Sequence, residues 1–65
     1  MAITYYDLYL KTRMALSSAG IEAAQLEARE ILCAAAEKTA EELYRDISLY
    51  TTDAIAEKTE ALQAR

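Results

Sequence analysis

Few side chains in this sequence could do chemistry. Glu41 and Glu42 are adjacent carboxylates, and Glu27 and Glu30 stand about one helical turn apart. Such pairs act as general acid and base only where burial or a close neighbour drives their pKa values apart inside a cleft. On an Ala-rich helical background they read as a solvated face. Cys33 is the single thiol, it has Glu30 and Glu37 on its own helix, and the chain contains no histidine. A nucleophilic thiolate needs a base or a positive field beside it, and neither is at hand, so Cys33 reads as inert packing. One cysteine without histidine also leaves no Cys/His zinc set and no internal disulfide. Gly20 is the sole glycine, so no Gly-rich loop exists to cradle a phosphate or a nucleoside. No catalytic residue, cofactor-binding residue or metal ligand is expected, and binding is the role left open.

The elements that carry these residues are all helical. Gly occurs once, Pro and Val do not occur, and Ala, Leu, Glu, Lys, Arg and Gln dominate, which favours helix over strand throughout. Thr4 and Asp7 form a capping pattern that opens a first helix over Tyr5 to Ala19. Its inward stripe is Tyr5, Leu8, Tyr9, Thr12, Ala15, Leu16 and Ala19, and Gly20 is placed to end it in a left-handed conformation. Ala24, Ala28, Ile31, Leu32 and Ala35 make the stripe of a second helix over Ala23 to Ala36, whose small residues permit close approach of another helix. Thr39 with Glu42 is a capping box for a short third helix of about two turns carrying Leu43, Tyr44 and Ile47. Ser48 to Thr52 reads as a connection, and Thr52 caps a last helix with Ile55, Thr59 and Leu62 on one side. Asp7 with Lys11, and Glu41 with Arg45, are spaced for intrahelical ion pairs. The expected fold is all-α: a small four-helix orthogonal bundle, with room for a short fifth turn, and a thin aliphatic core edged by tyrosines. At 65 residues it forms one domain of modest stability.

A formal net charge of −4 opposes direct binding to nucleic acid, whose affinity for proteins comes largely from Lys and Arg on phosphates. No apolar run approaches the roughly 20 residues needed to cross a bilayer, and Met1 to Tyr6 lacks the pattern of a signal peptide. The chain reads as cytoplasmic, away from membranes and monomeric. Small, acidic and helical also describes an acyl carrier, or a free-standing acidic adaptor. An acyl carrier needs an Asp directly before its attachment serine at a helix start; here Ile47 separates Asp46 from Ser48, and Ser17 and Ser18 stand at a helix end with no Asp beside them.

Thr4-Tyr5-Tyr6-Asp7-Leu8, Ala19-Gly20-Ile21-Glu22, Leu26-Glu27-Ala28 and Thr39-Ala40-Glu41-Glu42-Leu43 occur in this order along nearly the whole chain. Together they resemble the N-terminal domain of the HemK/PrmC family, the release factor glutamine methyltransferases. The family usually has Leu-Asp-Ala where Leu26-Glu27-Ala28 stands here, and a second Leu-rich turn where Glu30 and Cys33 stand. The resemblance implies a parent enzyme that moves a methyl group from S-adenosylmethionine to the side-chain amide of the glutamine in the Gly-Gly-Gln motif of class one peptide chain release factors. It implies that residues 1–65 are a helical substrate-recognition domain preceding a catalytic domain. That domain's Gly-rich cofactor loop and Asn-Pro-Pro-Tyr motif are not in this sequence, so S-adenosylmethionine is implied for the parent and not for this chain. The partners so implied are the release factor and the catalytic domain.

Tyr6, Leu10 and Met14 are the candidate partner-binding residues. They repeat every four positions on the first helix, roughly 100 to 180° from Tyr5 and the centre of its stripe, and Arg13 borders them. Leu10 and Met14 either cover the flank of the core or join Tyr6 as an exposed docking stripe.

Overall fold

Residues 3–64 are described by a computed structural model; Met1 and Ala2, the start of the segment read for a signal peptide, and Arg65 lie outside them. Thr4 starts the first helix as its spacing requires. The Asp7 amide donates to Thr4 Oγ1 at 3.1 Å and the Thr4 amide donates to Asp7 Oδ2 at 3.2 Å, a reciprocal capping box at the head of α1 (Tyr5–Ser18). The next two amides, of Tyr5 and Tyr6, donate to the carbonyls of Leu49 and Ile47 at 3.0 and 2.9 Å. These bonds, with an isolated antiparallel bridge between Thr4 and Tyr50, tie the connection after the third helix to the start of the first. The first-turn amides of α1 are thereby satisfied within the fold.

At the other end of α1, Gly20 has φ 84°, the Gly20 amide donates to Ser17 O at 3.0 Å and the Ile21 amide donates to Leu16 O at 3.1 Å. This is the double bond of a Schellman turn, built on the one residue without a Cβ penalty there. Helix α2 (Ala24–Ala36) begins without a side-chain cap at Ala23. It ends on Glu37 in the left-handed region at φ 54°, with the Lys38 amide donating to Cys33 O at 3.0 Å. A non-glycine residue there costs on the order of 1 kcal/mol. Thr39 and Glu42 form the second reciprocal box, at 3.2 and 3.0 Å, heading α3 (Ala40–Arg45). Thr52 Oγ1 accepts from the Ile55 amide at 3.2 Å to head α4 (Asp53–Gln63).

Among the described residues these four helices make an all-α bundle. Helix α2 is its centre, packing chiefly on α1 and α4 through the face expected from its spacing: Ala24, Ala28, Leu32 and Ala35 are all buried. The larger half of the core joins Tyr5 and Leu8 of α1, Leu32 of α2 and Leu43 of α3, and the smaller half joins Leu16 to Ala24 and Ala28. Thr12 and Thr59 are also buried, and the Thr59 hydroxyl discharges its polarity by donating to Ile55 O at 2.8 Å. Alanines and threonines at these positions keep the core thin.

Tyr5, on the inward stripe of α1 as its spacing requires, is 7% exposed and packs in the core beside Leu8. On α3 the buried direction goes to Leu43, and Tyr44, about 100° further round, is 65% exposed. Two expectations need correction. Lys11 does not pair with Asp7, whose carboxylate is held by the Thr4 amide; its Nζ lies 3.4 Å from Glu60 Oε1 on α4. Arg45 pairs with Asp46, not Glu41, because Asp46 already faces inward beside Lys38.

Candidate docking surface

Helices α1, α2 and α3 leave an open apolar trough between them. Tyr6 and Tyr9 stand on its α1 side, Gln25, Leu26 and Arg29 on its α2 side, and Leu43, Tyr44 and Ile47 close the α3 end, around about 430 Å³. A second hollow of about 460 Å³ continues it along the seam of α1 and α2, sharing Gln25 and Leu26 and reaching Arg13, Ser17, Ile21 and Glu22. Leu43 is buried and forms the floor, whereas Tyr6 is 51% and Leu26 46% exposed on the walls. Leu26 is two residues from buried Ala28, roughly 160° around the helix, so the core cannot cover both.

Positive charge borders the trough. Arg13 and Arg29 are half-buried, and among the described residues neither has a carboxylate within ion-pair distance. The Arg13 guanidinium lies over the Tyr9 ring, 6.0 Å from its centroid. An arginine whose stem is packed and whose head is unpaired can receive a carboxylate with little reordering.

Of the three residues expected to bind a partner, Tyr6 lines the trough. Leu10 is half-buried and Met14 is 67% exposed, and neither lines either hollow. Each step of four residues turns the helix about 40° further, so a stripe starting at Tyr6 walks away from the seam. Leu26, Arg29 and Tyr44 were not among the expected binding residues. Leu26 did carry a signal, as a leucine off the stripe of its own helix.

The carboxylates settle into structural roles. Asp46 is buried, with Arg45 Nε 3.0 Å from Oδ1, Arg45 Nη2 3.2 Å from Oδ2 and Lys38 Nζ 2.7 Å from Oδ2. Hydrogen bonds from Arg45 and then Lys38 hold its pKa down at about 2, from 3.8. Asp46 in turn raises the pKa of both cations, and hydrogen bonds with the Thr39 backbone and side chain lower that of Glu42. A carboxylate so depressed stays ionised at neutral pH, and here it ties the α2–α3 connection at Lys38 to the C-terminal end of α3. Lys38 Nζ also sits 5.6 Å from the centroid of the Tyr5 ring, covering the core there.

Among the described residues no group of three or more His, Cys, Asp or Glu side chains could hold a metal ion, and no helix is long and apolar enough to cross a membrane. Protein-family models, curated proteins and solved structures were compared with this chain, and none of them matches it.

Proposed function

We propose that this chain is a protein-docking domain: the release-factor-recognition domain of a protein glutamine methyltransferase, engaging class one peptide chain release factors for a catalytic domain that carries S-adenosylmethionine. One observation carries this reading. The segments on which the resemblance rests hold more than caps and core; they also hold Tyr6 and Leu26, exposed on the walls of the trough, and Ile21, exposed in the hollow that continues it. A recognition domain needs apolar side chains that its own fold leaves uncovered, and contiguous exposed patches of that kind mark interaction sites.

The test is a calorimetric titration of the chain with a purified class one release factor. Saturable binding that Leu26→Glu removes, with helicity unchanged by circular dichroism, is the expected result. Absence of binding at high micromolar concentration would overturn the release factor as partner. A reading frame with a stop codon directly after Arg65 would favour the free-standing acidic adaptor over the methyltransferase domain.

A further inference from the structure

We infer that the trough between α1, α2 and α3 receives an amphipathic helix of a partner protein, one whose apolar stripe is flanked by carboxylates that meet Arg29 and Arg13. The inference rests on the docking role proposed above, but not on the release factor being the partner.

The shape argues for a helix. The walls are side chains of α1, α2 and α3 and of residues directly beside those helices, Ile47 after α3 and Ile21 before α2, and among the described residues no strand lines the trough. The extended pair Thr4 and Tyr50 is already bridged, so the trough offers no free strand edge to which a partner could add. What it offers is a furrow floored by Leu43 and walled by Leu26, Tyr6 and Tyr44, continued past Gln25 toward Ile21. Such a furrow accepts a row of aliphatic anchors spaced i, i+3, i+4 and i+7 from one helical face.

The charges argue for acid on that helix. The chain carries eleven acidic residues against seven basic ones, so the trough and its continuation run against the overall balance by presenting two arginines that have no carboxylate within ion-pair distance among the described residues. Glu22, at the far end of the second hollow, is the one acidic residue lining either hollow among the described residues. An acidic amphipathic helix places its anchors on the apolar floor and its carboxylates on the two guanidiniums, which bind them in a fork.

The probe is a capped helical peptide of about 14 residues with leucines at i, i+3, i+4 and i+7 and glutamates beside them, compared with a twin bearing lysines in place of the glutamates. Fluorescence anisotropy should show saturable binding of the glutamate peptide and roughly tenfold or greater weakening for the lysine twin. Amide shifts should concentrate on Gln25, Leu26, Arg29 and Tyr44. Arg29→Glu should reverse the preference between the twins; if that variant loses helicity, Arg29→Gln should abolish the preference while keeping the fold. Equal affinity for the twins, no saturable binding, shifts centred elsewhere, tighter binding of a proline-rich peptide of the same charge, or concentration-dependent dimerisation that perturbs the same residues would each overturn the inference. Binding of the peptide without binding of a release factor leaves this inference standing and removes the release factor. Release factor binding without peptide binding does the reverse.

Discussion

The corner at Asp46 and the trough at Arg29 use charge in opposite ways. At the corner, one buried carboxylate takes both Lys38 and Arg45, and the lysine caps the Tyr5 ring. At the trough and the hollow that continues it, Arg29 and Arg13 lie beside exposed apolar side chains and, among the described residues, have no carboxylate within ion-pair distance. The first arrangement closes on itself and leaves nothing for a ligand. The second leaves apolar area and positive charge together on the surface, the combination that a partner must complete. In so small a domain, polar side chains that satisfy one another mark the fold, and those left unmatched beside exposed leucine and tyrosine mark the surface proposed for docking.

The strongest way to break this contrast is to remove what lies under both regions. Leu43 packs with Tyr5 and floors the trough, so Leu43→Ala should cost about 2 to 5 kcal/mol. That is a large share of the stability of a chain this short, and thermal denaturation should find the variant largely unfolded near physiological temperature. A variant melting within a few degrees of the parent would show that the two regions do not share a core.

Next in size comes Asp46→Asn, which leaves Lys38 and Arg45 without their carboxylate. The melting temperature should fall, by less than for Leu43→Ala. Lys38→Ala should cost more than Arg45→Ala, since the Lys38 side chain is 21% exposed and that of Arg45 67%. The same corner sets an acid limit. The Asp46 pKa is about 2 in the fold against 3.8 in its ordinary state, so its stabilisation is fully present above roughly pH 4 to 5 and drains away as pH falls toward 2. Lys38 works in the other sense: its raised pKa stabilises below the ordinary value of 10.5 and is lost as pH climbs through the folded value. Chemical denaturation between pH 2 and 6 should show the acid limb, flattened in Asp46→Asn; an unchanged limb would remove Asp46 as its source.

Glu37→Gly acts on the turn that delivers Lys38 to Asp46. Relieving the left-handed φ of 54° should stabilise the fold by about 0.5 to 1 kcal/mol. A destabilised variant would mean that Glu37 contributes more than its backbone conformation costs.

Smallest in stability, and most informative about the trough, are Leu26→Ala and Arg29→Gln. Both should leave unfolding free energy within about 0.5 kcal/mol of the parent while weakening partner binding. Met14→Ala, outside the trough, should change neither. Loss of binding in Met14→Ala would move the interface along α1 and erase the distinction between the walls of the trough and the remaining surface.

Local chemistry was legible in the residues. Thr4 with Asp7, Thr39 with Glu42, Thr52 and Gly20 each act within one turn of their own position, so their spacing alone predicts the caps and the turn that the fold shows. The buried faces of α1 and α2 follow likewise from period, because a side chain's direction around a helix depends only on its place in the chain. Glu37 had no such signal, since a non-glycine residue adopts a left-handed φ only when surrounding contacts hold it there.

Which of several apolar faces the bundle covers could not be read from period. Tyr6, Leu10 and Met14 share a stripe in sequence, yet the seam between α1 and α2 takes Tyr6 and leaves the other two, because the neighbouring helices and not the helix itself draw that line. Asp46, Lys38 and Arg45 come together across eight residues, while Arg13 and Arg29 border one trough from different helices. The sequence by itself determined four helices, the side-chain caps of three of them and the direction of the core faces of α1 and α2, since those depend on short-range hydrogen bonding and a fixed angle per residue. The trough, the placing of Arg13 and Arg29 along it and the closed ion cluster at Asp46 were decided by tertiary structure, since only packing sets which charges approach within a few ångströms and which apolar surface stays wet.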